Sequence, residues 1–187
     1  MKTTTTIIAA ACALVLGLIL GWAGRGLLTY PANSASDTAF QDWRLVCPAA
    51  SQKGSCQMTD DLLDTKSHQE VARLIMGKEK GSLVLAITLP LGVSLEPGVG
   101  LTIGSDTKKI KVYPYRTCAP IGCIAVLPVD VKLLASMNQA KDASIVFAGE
   151  DGKPVRLGFK MNGFADAQRA FNRNEVRRAS WFWRMWS

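Results

Sequence analysis

The chain has 187 residues, with 22 Lys and Arg against 15 Asp and Glu and a single histidine, for a formal net charge of +7. That length allows one ordinary domain with appendages and a real hydrophobic core. One histidine argues against Ser-His or Cys-His catalysis, and a basic excess with no RNA- or DNA-binding module signature argues against a nucleic-acid partner.

In chain order, the first element is an N-terminal segment over residues 1–30. Lys2 precedes an uncharged run from Ile7 to Ala23, followed by Gly24-Arg25-Gly26, Leu27, Leu28 and Tyr30. Two readings compete. As an uncleaved transmembrane anchor, the 17 residues of the run span roughly 25 Å, slightly short of a hydrocarbon core of about 30 Å. Trp22 would then sit at the interface and Arg25 would snorkel outward. As a signal peptide, the segment would be cut near Ser34, among the small residues Ala32-Asn33-Ser34-Ala35. The apolar run lies far from that site, which favours the anchor, and either reading places the rest of the chain outside the cytoplasm. Cys12 stands before most of the apolar run and reads as an ordinary residue of the segment, not as a lipoprotein cysteine.

Residues 31–41 are small and polar and read as a linker. From 42 to 164 the pattern is a series of short strands. Trp43 to Cys47 alternates, Ser55 to Thr59 returns after a loop containing Lys53-Gly54, and Val71 to Met76 and Ser82 to Leu89 are strongly apolar. Val99 to Ile103, Lys109 to Tyr115, Cys123 to Val129, Ser144 to Ala148 and Val155 to Lys160 complete the set. Turn residues punctuate most of these runs, so the expected fold is mainly β: a compact antiparallel sandwich or barrel-like domain with one or two short helices, preceded by a transmembrane or signal helix. Val131 to Gln139 can place Val131, Leu134 and Met137 on one helical face, and residues 165–187 begin with a proline-free helical stretch to about Arg178.

Four of the five cysteines form two short-range sets, Cys47/Cys56 and Cys118/Cys123. Behind an export segment such spacing reads as structural disulfides. Four cysteines allow three pairings; local pairing is expected because each set flanks a predicted turn. A redox role would need a Cys-x-x-Cys spacing or an activated thiolate, and neither set has that spacing.

Candidate chemistry is sparse. His68 lies in a polar segment and reads as a solvent-facing loop residue. Asp60, Asp61 and Asp64 lack the spacing and glycine of a calcium loop, so they read as a solvated turn. Gly98-Val99-Gly100 and Gly104 do not make a dinucleotide fingerprint, and Ser94 lacks the second glycine of a nucleophile elbow. No catalytic residue, metal site, cofactor or small-molecule substrate is expected.

The C-terminus is more informative. Arg177-Arg178 precede Trp181-Phe182-Trp183-Arg184-Met185-Trp186-Ser187. Tryptophan favours the headgroup region and arginine attracts anionic lipid. The contact residues expected at a membrane or partner are therefore Trp22, Arg25, Arg177, Arg178, Trp181, Trp183, Arg184 and Trp186.

One ordered set of motifs spans Trp43 to about Arg173: Trp43-x-x-x-Cys47, Cys56, Leu89-Pro90-Leu91-Gly92-Val93, Pro97-Gly98-Val99, Tyr115-Arg116-Thr117-Cys118-x-Pro120-x-Gly122-Cys123 and Gly163-Phe164-Ala165-Asp166-Ala167. In this set the chain resembles the invasion-associated locus B family of exported bacterial proteins. The resemblance implies a β-rich extracytoplasmic domain with its four cysteines paired, and no enzyme activity. The hydrophobic N-terminal segment and the Trp/Arg tail depart from it and point to a protein held at the inner membrane with its domain in the periplasm. The expected role is a non-enzymatic interaction module, an accessory subunit that meets the lipid surface and an integral membrane partner. The alternative is an exported factor for host contact.

Overall fold

Period-two alternation sends one side chain into a core and the next to solvent, and most of this chain obeys it. A computed structural model describes residues 13–18, 35–49, 52–64, 68–104 and 110–179. Among them are eleven strands: β1 (Ser36–Phe40), β2 (Trp43–Cys47), β3 (Gln57–Leu63), β4 (Glu70–Glu79), β5 (Ser82–Leu89), β6 (Val99–Ile103), β7 (Lys111–Tyr113), β8 (Tyr115–Ala119), β9 (Gly122–Pro128), β10 (Asp142–Ala148) and β11 (Pro154–Lys160). Two helices follow the expected ranges closely: α1 (Val131–Gln139) and α2 (Phe164–Ala179).

A seven-stranded sheet runs β1-β2-β3-β4-β5-β9-β8, and a four-stranded sheet runs β11-β10-β6-β7. Every pairing is antiparallel. Both sheets and α2 contribute to one core, the mainly β architecture that the alternation implies. In β2 the inward residues Trp43, Leu45 and Cys47 are buried while Arg44 and Val46 face out. In β5, Leu85, Ile87 and Leu89 are fully buried.

Helix α2 packs on β1, β2, β3 and α1. Its inward stripe is Phe164, Ala167, Ala170 and Phe171, all buried, the i, i+3, i+7 spacing of one helical face. Phe164 meets Trp43 edge-on with ring centroids 4.9 Å apart. Gly163 makes this approach possible: its φ is +79°, and a Cβ there would collide with the carbonyl of Phe40.

Two expectations change. Residues 36–40, read as linker, form β1, in register with β2 from Ser36↔Cys47 to Phe40↔Trp43. Their small polar side chains are mostly exposed, so backbone pairing and not a hydrophobic face makes this edge strand. In α1, Met137 is buried but Val131 is 87% exposed; Asp130 caps the helix by accepting the Leu133 N–H at 2.6 Å, which leaves Val131 in the outward first turn.

Residues 13–18 are helical, and Leu14, Val15, Leu16 and Leu18 are all exposed. Among the described residues no helix is long and apolar enough to cross a membrane. Most of the expected anchor, with Trp22, Arg25 and the cleavage region near Ser34, lies outside the described residues, as do Trp181, Trp183, Arg184 and Trp186.

Candidate functional site

Rows of paired residues give the seven-stranded sheet two ends. At one end Asp37, Val46, Gln57, Gly77, Val84 and Pro128 lie side by side. At the other, Leu89 pairs with Cys123 and Cys118 with Cys123. Val84 and Leu89 are five residues apart along β5, so the rows are separated by roughly 17 Å.

The first end is closed by the Cys47–Cys56 disulfide, and Cys56 is fully buried. Helix α2 delivers two charged side chains to it. Glu175 Oε1 accepts the Cys56 N–H at 2.9 Å, while Oε2 lies 3.3 Å from Lys78 Nζ. Arg178 donates to the carbonyls of Pro48 at 2.8 Å, Gln52 at 3.2 Å and Gly54 at 3.0 Å. One planar guanidinium thus gathers three carbonyls of the loop, next to the helix C-terminus where a cation is favoured. This corrects the expected role of Arg178: its donors serve its own domain and are not held out for a membrane or partner. Arg177, its neighbour, is exposed.

The second end is the β8–β9 hairpin, closed by Cys118–Cys123. Gly122 has φ +131°, and a Cβ there would collide with the carbonyl of Leu89, so the hairpin tip lies tight against the end of β5. Beside this contact Ile121, and Leu91 two residues beyond Leu89, are exposed by 76% and 59%, apolar side chains on a rigid support. Acidic groups stand toward the same end of the sheet. Asp61 and Glu70 share Arg73, each at 2.6 Å, and Glu150 approaches Gly92.

Between the ends sits a residue that local polarity disguises. Asp60 is only 6% exposed, because β3 alternates and Met58, Asp60 and Leu62 all point inward. This overturns the solvated-turn reading of Asp60. One step beyond the Arg44↔Thr59 pair, Trp43 stands opposite it; the buried Trp43 Nε1 has no hydrogen-bond partner among the described residues. Burial pushes the Asp60 carboxyl up to about 7, reinforced by the negative charges of Asp42 and Asp61. Its raised proton affinity couples folding to pH. Asp61, by contrast, is exposed and paired with Arg73.

The remaining candidates stay apart. His68 is exposed at φ +53°, and Ser94 donates to the Glu96 carbonyl at 3.0 Å. Among the described residues no group of three His, Cys, Asp or Glu could hold a metal ion.

A model of the invasion-associated locus B protein family matches residues 43–172. Two relatives, both Invasion protein B homologs, come from Brucella abortus strain 2308 and from B. abortus biovar 1 strain 9-941. Each is 25% identical over 138 residues, covering 73% of this chain and 78% of the relative. The crystal structure of invasion-associated protein B from Bartonella henselae superimposes with a TM-score of 0.66 at 19% identity, covering 75% of this chain and 99% of that one; it establishes likeness of fold. All of β1 and the last turns of α2 lie outside the family-matched range.

Proposed function

This chain belongs to the invasion-associated locus B family, and from that premise we propose that it is a membrane-tethered, non-enzymatic interaction module with its domain in the periplasm, an accessory subunit of a larger membrane assembly. The disulfides point to an extracytoplasmic domain. The observation that carries the tether is the helical stretch at residues 13–18, whose Leu14, Val15, Leu16 and Leu18 are exposed by 55–70%. A helix apolar on every side is at home in lipid, not in water, and this one lies within the uncharged run from Ile7 to Ala23. The surface offered to a protein partner is the apolar tip formed by Ile121 with Leu91. Its backing disulfide limits the ordering cost of association.

Fractionation tests the proposal. The protein is expected to sediment with membranes, resist carbonate extraction, and leave them only in detergent, in a complex larger than the monomer. Ile121→Asp should abolish the complex and leave membrane attachment intact. Recovery as a soluble, cleaved monomer would contradict it. That outcome would favour the exported host-contact reading, which the relatives' names suggest.

A further inference from the structure

The two undescribed ends of the chain leave the domain from the same place. Ser36, the first residue of β1, pairs with Cys47. At the other terminus Arg178 is hydrogen-bonded to the carbonyls of Pro48, Gln52 and Gly54, so Ala179 and the Trp/Arg tail depart beside the same disulfide loop. The apolar N-terminal segment and the aromatic tail therefore both connect to the Cys47–Cys56 end.

Charge is distributed along the same axis. Lys53, Lys80 and Arg177 are exposed at the Cys47–Cys56 end, where Asp37, Glu79 and Glu175 are engaged with Arg44, Arg116 and Lys78 and Asp130 caps α1. Exposed Asp61, Glu70, Glu96 and Glu150 lie toward the Cys118–Cys123 end. At physiological salt the Debye length is about 8 Å. An anionic surface therefore acts on the end that touches it and hardly on the other, roughly 17 Å away along the strands. Exposed Val176 and Val131, at 69% and 87%, add apolar side chains near the basic end, at the level where headgroups meet acyl chains.

Resting on the tethered reading above, we infer that the Cys47–Cys56 end lies against an anionic lipid surface and that the acidic Cys118–Cys123 end projects away from the membrane. Arg178 then positions the surface instead of touching it: its hydrogen bonds fix where the tail begins.

The test uses the full chain carrying Cys12→Ser, with one nitroxide introduced through Lys53→Cys or Ile121→Cys, in vesicles of phosphatidylglycerol and phosphatidylcholine doped with a nickel-chelating lipid. The Lys53 label should show a severalfold larger relaxation enhancement than the Ile121 label, and the contrast should shrink in pure phosphatidylcholine or at high salt. Equal enhancement, or a larger one at Ile121, overturns the orientation. A contrast unchanged by salt and lipid charge overturns the role of anionic headgroups. A contrast seen in native membranes but absent from vesicles means that a protein partner orients the domain, and overturns the lipid contact. Flotation separates the two levels: a chain that fails to float with vesicles sinks the tether itself, whereas one that floats without contrast sinks this inference alone.

Discussion

Cys47–Cys56 and Cys118–Cys123 close short loops at opposite ends of one sheet, but their surroundings differ. Around the first, a helix from the far end of the sequence supplies Glu175 to the Cys56 amide and Arg178 to three loop carbonyls. Around the second, a tight hairpin carries exposed Ile121, with Leu91 nearby. The same covalent bond thus serves tertiary integration at one end and a stiff tip at the other. Ser36, where the first strand starts, and Arg178, in the last turn of α2, both lie at the integrated end.

The largest test of this contrast lies under α2, in the half of the sheet that the helix covers. The Asp60 carboxyl is raised from an ordinary 3.8 to about 7, so the folded state binds a proton that the unfolded state releases. The stability this contributes is fully present below about pH 4 and is lost as pH rises through 7. Asp60→Asn should remove that loss. Relative to the parent it should gain stability between pH 4 and 8, on the order of 4 kcal/mol at the upper end, as read by urea unfolding across pH. Parallel pH profiles for the two proteins would show that Asp60 is not charged at a cost.

The disulfides come next. In the loop-entropy model both bonds are worth about 2–3 kcal/mol. Cys47→Ser with Cys56→Ser also loosens the loop that Glu175 and Arg178 hold, so it should cost roughly 1–2 kcal/mol more than Cys118→Ser with Cys123→Ser. Equal losses in denaturant titrations would erase the distinction between the ends. Arg178→Ala should cost about 1–3 kcal/mol, and Arg178→Lys should recover only part of it, because an ammonium cannot present the same planar fork to three carbonyls. The smallest effect belongs to the tip: Ile121→Asp should change stability by no more than about 0.5 kcal/mol while disrupting partner binding. A large destabilisation would mean that the tip is packed, not presented.

Much of this was legible in the sequence where a residue's role is decided by its immediate neighbours. The alternation of Trp43 to Cys47, the apolar run of β5 and the Pro120-Gly122 turn between two cysteines each led to the right element. Strand β1 was not legible, because Ser36 to Ala39 has no hydrophobic face and pairs through its backbone and the Asp37–Arg44 ion pair. Asp60 could have been found: the Met58, Asp60, Leu62 period continues inward through the acidic stretch, but two further aspartates nearby make the segment look like a turn. Arg178 could not, since its acceptors lie 124–130 residues away in sequence.

The membrane tether requires that the N-terminal segment stay with the domain. The most direct test is the intact mass of the protein isolated from its native membrane in detergent, without reduction. A retained segment gives a mass that includes residues 1–34, less the four hydrogens lost in forming two disulfides. A mass beginning near Ala35 would contradict the tether.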